Sequence, residues 1–280
     1  MKIAATVEEI RSAVKAWKKE GLSVGFVPTM GYLHEGHQSL MQKAVSENDR
    51  VVVSIFVNPM QFGPSEDLES YPRDLEKDAS LCEASGVDLI FHPEPKEMYH
   101  SDFSSFVDMH GLTESLCGKS RPAHFRGVCT VVTKLFNIVQ PDCAYFGQKD
   151  AQQLAVIQQI VRDLNLDVTV IGCPIIREAD GLAKSSRNSY LSADERKAAL
   201  VLSQALEVAK QLLANGEQNA AKIRNAISET IQAEPLAKVD YVELVDARTL
   251  QQVDSVERPV LVALAVYIGK TRLIDNFITE

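Results

Sequence analysis

The sequence predicts an α/β protein in which a doubly wound parallel sheet precedes a second, smaller α+β domain. Three observations carry this prediction. Segments typical of strands and of helices alternate from Leu22 to Ile171. Within that stretch, residues 51–57 are apolar on both faces, which is typical of a central strand covered by helices on both sides. After Pro174 the alternation stops, and helices are followed by strands alone.

The first domain is predicted to span residues 1–175. Its first helix begins at a capping box, Thr6-Val7-Glu8-Glu9, and ends at Gly21. Apolar runs then predict five strands, and residues with helical spacing predict the helices between them. The strands are expected near 22–27, 51–57, 87–91, 144–146 and 167–171, and the helices near 38–46, 73–84, 128–139 and 150–164.

The second domain is predicted to span residues 176–280. A second capping box, Ser192-Ala193-Asp194-Glu195, predicts one long helix that ends at Asn215-Gly216. A shorter helix follows around Ile223 to Ile231. Three strands are expected at 239–245, 259–268 and 271–278, with Gly269-Lys270 as a tight hairpin turn between the last two.

Composition narrows the class of protein. The 280 residues are 45% hydrophobic and 24% charged, which fits a globular chain and excludes a disordered one. The net charge of −9 argues against a nucleic-acid partner, because phosphate contacts need a basic face. The five cysteines are scattered without a CxxC pair, and we find neither a signal peptide nor an apolar run of about 20 residues. We therefore expect a cytoplasmic protein with no membrane association.

The most informative motif follows the first predicted sheet strand. His34-Glu35-Gly36-His37 opens a helix at the place where doubly wound folds bind phosphates. Two histidines three residues apart share a helix face, where they can donate hydrogen bonds to phosphate oxygens. A pair of surface histidines or a metal site remain alternatives, although the spacing is not HExxH.

Two further segments offer groups for a phosphate ligand. Lys184-Ser185-Ser186-Arg187-Asn188 lies in a polar loop near the domain boundary and combines two cations with two hydroxyls. Such a loop could close over a polyphosphate, although most loops of this kind are merely solvated. Phe146-Gly147-Gln148-Lys149-Asp150 joins a strand to a helix and adds another cation, Lys149. Together with HxGH, these segments are typical of the nucleotidyltransferase type of Rossmann-like fold.

Several short blocks occur in one order along the chain: Pro28-Thr29-Met30-Gly31, His34-Glu35-Gly36-His37, residues 56–62, Tyr71-Pro72-Arg73, His124-Phe125-Arg126-Gly127-Val128, residues 147–153, and Ser185-Ser186-Arg187-Asn188. In order and spacing they resemble the pantothenate synthetase family, and the resemblance extends to Leu273-Ile274-Asp275-Asn276. It implies an ATP-dependent ligase that condenses pantoate with β-alanine through a pantoyl adenylate and releases AMP and pyrophosphate. It also implies Mg²⁺, a homodimer, a Rossmann-like first domain that binds ATP and pantoate, and a second domain that covers the active site.

The resemblance also implies site residues. His37 is the expected proton donor, and Gln61 and Gln153 are expected to hold pantoate, with Gln61 also touching β-alanine. Asn58, Arg126 and Asp78 are further candidates, Asp78 as a magnesium contact. The expected ATP-binding residues are Met30, Gly31, Tyr32, Leu33, His34, Glu35, Gly36, His37, Gly147, Gln148, Lys149, Asp150, Ile176, Lys184, Ser185, Ser186 and Arg187. The chain departs from the family pattern at Gln148, where Glu is more usual, and at Lys184, where an apolar residue is.

Other functions remain open on the residues alone. The nearest alternative is another HxGH nucleotidyltransferase, a cytidylyl- or adenylyltransferase. A class I aminoacyl-tRNA synthetase is disfavoured by the acidic charge. A regulatory nucleotide-binding protein with a decayed site should have lost its key groups, yet His34, His37, Lys149 and Arg187 are all present.

Overall fold

The structure is a computed structural model that describes residues 1–64 and 66–279. The chain forms two compact units. The first unit comprises Met1–Met109, Arg121–Gln148 and Gln153–Pro174, and the second comprises His110–Ser120, Lys149–Gln152 and the chain from Ile175 onward. The sequence analysis placed both short segments, 110–120 and 149–152, in the first domain.

A six-stranded parallel sheet forms the centre of the first unit, with strand order β1-β4-β3-β2-β5-β6. The strands are β1 (Lys2–Ala4), β2 (Val24–Thr29), β3 (Arg50–Ile55), β4 (Leu89–Phe91), β5 (Cys143–Gly147) and β6 (Thr169–Cys173). The predicted doubly wound sheet is confirmed. The sequence analysis missed β1, because three residues are too few to show a pattern.

Helices flank this sheet. They are α1 (Val7–Lys19), α2 (Glu35–Glu47), α3 (Leu75–Ala84), α4 (Pro95–Met98), α6 (His124–Val139) and α7 (Ala151–Asp163), while α5 (Leu116–Ser120) lies in the second unit. Thr6 caps α1 with the predicted capping box. Within the described residues, no helix is long and apolar enough to cross a membrane.

The second unit packs helices against a three-stranded antiparallel sheet with order β7-β8-β9. Its elements are α8 (Ala193–Ala198), α9 (Val201–Ala214), α10 (Ala220–Gln232), β7 (Ala237–Asp246), β8 (Val260–Ile268) and β9 (Thr271–Ile278). Ser192 forms the second capping box. The single long helix expected after it is wrong: the helix is interrupted at Ala199 and Leu200, where backbone bonds tighten to the i−3 pattern (Leu200 N–H to Lys197 O, 3.2 Å).

The strand order creates a switch point between β2 and β5, since the chain builds the sheet on one side of β2 and then crosses to the other. In such sheets, ligands bind outside the carboxyl ends of the strands at this point. Residues 30–37 follow β2, residues 58–61 follow β3, and residues 147–148 end and follow β5. The fold therefore gathers three of the predicted segments at one edge of the sheet.

Candidate active site

The HxGH motif forms the N-terminus of α2. His34 is the N-cap residue, and its Nδ1 accepts the Gly36 backbone N–H at 3.1 Å. His37 occupies the third helical position, and its Nδ1 accepts the His34 backbone N–H at 3.3 Å. The two rings lie with centroids 4.1 Å apart. The three-residue spacing is thus that of a capping box, here built from two imidazoles.

This capping arrangement fixes which ring nitrogen is the donor. A neutral imidazole carries its proton on one nitrogen and accepts with the other. Because both Nδ1 atoms accept backbone N–H groups, the proton of each neutral ring resides on Nε2. His34 and His37 therefore both have an Nε2–H donor beside the positive end of α2, where an anion is stabilised.

Asp78 of α3 holds the loop that leads into this helix. Its side chain is 1% exposed, and its two carboxylate oxygens accept the backbone N–H groups of Tyr32 (2.8 Å) and Leu33 (2.6 Å). Burial raises the pKa of the Asp78 carboxyl, and the two backbone hydrogen bonds oppose that rise. Gly31 (φ +85°) and Tyr32 (φ +50°) both have left-handed backbone conformations. A Cβ atom on Gly31 would lie 3.0 Å from Asp78 Oδ2. Only glycine fits this turn without displacing the carboxylate.

Gln61 lies in the 3₁₀ turn Pro59–Gln61 after β3 and is 8% exposed. Its Nε2 lies 3.2 Å from Met30 Sδ, and its Oε1 accepts from Asn58 Nδ2 at 3.0 Å. Asn58 also donates to Gly127 O (3.1 Å) and accepts from the Tyr99 hydroxyl (2.8 Å). The structure thus brings the predicted residues Met30, Asn58 and Gln61 together.

The cation beside Gln61 is Arg121, which the sequence analysis did not identify. Arg121 donates to Gln61 O (3.3 Å) and pairs with Glu66 at 2.6 Å. The predicted candidate Arg126 instead lies with its guanidinium 4.0 Å from the Phe106 ring centroid and 3.9 Å from Asp108. Arg121 follows Ser120 and Arg126 follows Phe125 in one stretch of sequence, and the fold gives the two arginines different partners.

The remaining predicted residues of the first unit lie near the carboxyl end of β5. Gly147 ends that strand, and a Cβ placed on it would meet no described atom within 4 Å. Space beside its backbone is therefore open to a ligand. Gln148 begins the 3₁₀ turn Gln148–Asp150, and the half-buried Gln153 lies in the first turn of α7.

The other predicted residues belong to the second unit. The Lys149 amine is 3.3 Å from Asp150 Oδ2, and its side chain is 19% exposed. Ile176 O accepts the Lys184 N–H at 2.9 Å, and the Lys184 amine pairs with Glu178 at 2.9 Å. Lys184, one of the two departures from the family pattern that the sequence analysis expected, thus forms an ion pair.

Ser185 caps the 3₁₀ turn Ser186–Tyr190 by accepting the Arg187 N–H at 3.3 Å. Ser186 is 8% exposed. Residues 185–190 therefore form a capped 3₁₀ turn in the structure.

A dedicated metal centre is not built into the described residues, because no group of three or more His, Cys, Asp or Glu side chains could hold an ion. Both oxygens of Asp78 already accept backbone hydrogen bonds, so its geometry fits a loop clamp better than the expected magnesium contact. The carboxylate of Asp150 remains beside Lys149.

Comparison with known proteins defines the class. Residues 2–278 match the sequence model of the family described as pantoate–β-alanine ligase. Proteins named pantothenate synthetase are 63% identical in Enterococcus faecalis, over 280 residues (100% of this chain and 99% of the relative), and 61% in Clostridium acetobutylicum, over 277 residues (99% of each). The chain therefore belongs to the pantoate–β-alanine ligase family.

Solved structures agree with this membership. The crystal structure of the pantothenate synthetase from Thermus thermophilus superposes with a TM-score of 0.94 at 46% identity and 99% coverage of both chains. The pantoate–β-alanine ligase from Francisella tularensis, complexed with beta-gamma ATP and beta-alanine, has a TM-score of 0.81 at 37% identity and covers 99% of this chain and 97% of that one. The predicted family, fold class and enzymatic nature are confirmed.

Proposed function

We propose that the chain condenses pantoate with β-alanine at the expense of ATP, through a pantoyl adenylate. The observation that carries the proposal is the pair of capping histidines at the sheet's switch point, in a chain 61% and 63% identical to two proteins named pantothenate synthetase. The pantoate carboxylate attacks the α-phosphorus of ATP and pyrophosphate leaves. The β-alanine amine then attacks the acyl carbon, the bond to AMP breaks, and the amine gives up a proton.

In the first unit, the proposed roles follow from the hydrogen-bond geometry. An ionised carboxylate needs no general base, so the first step depends on positioning and charge stabilisation. His34 and His37 donate from Nε2 to phosphate oxygens, with His37 as the proton donor. Gln61 and Gln153 offer neutral amides to pantoate, and Gln61 also contacts β-alanine. Residues 30–37, Gly147 and Gln148 line the ATP site.

In the second unit, Lys149 and Arg187 are proposed to stabilise the leaving pyrophosphate. Asp150, Ile176, Lys184, Ser185 and Ser186 complete the ATP contacts. Magnesium is proposed to arrive as part of the substrate, MgATP, with the phosphates as its main ligands, since Mg²⁺ in such sites is held by substrate phosphates and few carboxylates. A homodimer in the cytoplasm, without a nucleic-acid partner, stays part of the proposal. The five free cysteines support the cytoplasmic location, and the net charge of −9 supports the lack of a nucleic-acid partner.

The test is product analysis with each substrate omitted in turn. With ATP and pantoate alone, the enzyme should release about one pyrophosphate per active site and then stop, because the adenylate stays bound. Adding β-alanine should then give pantothenate and AMP continuously. Release of ADP and phosphate, or no pyrophosphate before β-alanine is added, would contradict the adenylate route. Light scattering that gives twice the 30.9 kDa chain mass would support the dimer.

A further inference from the structure

Two consecutive residues of β9, Asp275 and Asn276, are buried polar groups that the proposed chemistry does not use. They are 2% and 5% exposed. Successive side chains of a strand point to opposite faces, so neighbours can reach two different parts of the chain. Buried polar groups are costly unless they are hydrogen-bonded, and the partners of this pair are therefore informative.

Asn276 reaches the turn that carries Lys149. Its Nδ2 donates to the Lys149 backbone carbonyl at 2.8 Å. That carbonyl belongs to the 3₁₀ turn Gln148–Asp150, in front of α7. A hydrogen bond to this backbone oxygen holds the Lys149 backbone in place and leaves the Lys149 amine out of the interaction with Asn276.

Asp275 reaches the hairpin that precedes residues 184–187. Its carboxylate forms a bidentate pair with Arg177, at 2.6 Å to Nη1 and 2.9 Å to Nη2. Arg177 Nη1 also donates to Gly181 O (3.0 Å), and Arg177 pairs with Ala183 across an antiparallel bridge. Through the Arg177 guanidinium, Asp275 is thus linked to both the base and the tip of the hairpin 177–183.

We propose that Asp275 and Asn276 are positioning residues that fix, from one strand, both cation-bearing segments of the second unit: the Lys149 turn and the hairpin leading to Arg187. The inference rests on the proposed function for the roles of Lys149 and Arg187. It extends that function by assigning a purpose to the Leu273–Asn276 block. Displacement of a catalytic group by about 1 Å can cost about 10²-fold in rate, so the loss of such an anchor is measurable.

The first variant is Asn276→Asp, which keeps the shape but replaces the donor with a carboxylate that faces the Lys149 carbonyl. Adenylate formation from ATP and pantoate should fall about 10- to 100-fold. Conversion of supplied pantoyl adenylate and β-alanine should stay near wild type, because pyrophosphate has left by then. Asn219→Asp is the matched control: Asn219 caps α10, and aspartate is an equally good cap.

The second variant is Arg177→Lys, which keeps a cation but removes the bidentate pair with Asp275. It should raise the KM for ATP and increase amide hydrogen exchange in peptides covering 177–188. Asn276→Asp should instead increase exchange in peptides covering 147–152. Thermal unfolding of each variant monitors the fold.

Equal loss in both half-reactions, or unchanged kinetics with unchanged exchange, would overturn the inference. A merely structural pair would lower the unfolding temperature and slow both half-reactions alike. Failure of the proposed function looks different, because the wild-type protein would then release no pyrophosphate from ATP and pantoate. The exchange measurements need no turnover and test the two anchors in either case.

Discussion

Replacing Asp78 with asparagine separates its two possible roles, loop clamp and magnesium ligand. In the structure its two oxygens accept the N–H groups of Tyr32 and Leu33, at 2.8 and 2.6 Å. Asparagine keeps one oxygen and turns an NH₂ group toward the other N–H. The variant therefore loses one charged hydrogen bond and sets two donors against each other beside the HxGH segment.

The size of the effect follows from these contacts. A hydrogen bond to a charged acceptor contributes about 1.5–3 kcal/mol, and a buried donor left unpaired costs about 1–3 kcal/mol. If about 2 kcal/mol of this appears as misplacement of the loop proposed to bind ATP, kcat/KM for ATP falls about 30-fold. Because the loop also packs Leu33 into the core, a lower unfolding temperature should accompany the loss.

The assay is kcat/KM for ATP at several concentrations of free magnesium. If Asp78 is a loop clamp, Asp78→Asn lowers kcat/KM for ATP by the same factor at every magnesium concentration. If Asp78 is a magnesium ligand, added magnesium would restore part of the activity of Asp78→Asn, and that result would refute the role of Asp78 as a loop clamp. Asp74→Asn on the same helix is the control, since the Asp74 side chain caps α3 by accepting the Lys77 N–H and asparagine caps equally well. Asp74→Asn also removes the charge that Asp74 places near Asp78, without touching the Tyr32 and Leu33 hydrogen bonds. Activity of Asp78→Asn within threefold of wild type would also refute the reasoning.

The remaining predictions concern the proposed site residues. His37→Ala should lower kcat about 10²- to 10³-fold while the protein stays folded. His37→Gln should recover part of the lost kcat, because its amide can both cap the helix and donate a hydrogen bond. If kcat of His37→Ala stayed within a few-fold of wild type, the role of His37 as proton donor would be excluded. Gln153→Ala should raise the KM for pantoate much more than that for ATP, and equal rises would indicate a structural residue instead. Lys149→Ala should nearly abolish adenylate formation in quench-flow experiments yet still convert supplied pantoyl adenylate and β-alanine; equal loss in both steps would contradict a role in pyrophosphate departure.

Local patterns in the sequence were sufficient to predict most of the sheet and the HxGH segment. Apolar runs located five strands of the parallel sheet, and capping boxes located the starts of α1 and α8. The break between α8 and α9 could not be predicted, because Ala199 and Leu200 keep helical backbone angles and only their hydrogen bonds change.

Contacts between distant positions were beyond the reach of these patterns. Asp78 meets Leu33 across 45 residues, and Asn276 meets Lys149 across 127. Arg121 likewise meets Gln61 across 60 residues. Periodicity reports which face of an element is buried, whereas such pairings depend on how elements are arranged in the fold.

The capping histidines bear on which residues supply positive charge in the proposed mechanism. Protonation of Nδ1 in His34 or His37 would remove an acceptor and leave a backbone N–H of the α2 N-terminus unpaired. The cap therefore uses Nδ1 of each ring as an acceptor and leaves Nε2 as the atom proposed to donate to phosphate oxygens. Lys149 and Arg187 are the cations proposed to stabilise the leaving pyrophosphate. Lys149 is held through Asn276 of β9 rather than through α2, so a substitution at Asn276 should slow adenylation without altering the capping hydrogen bonds of the two histidines.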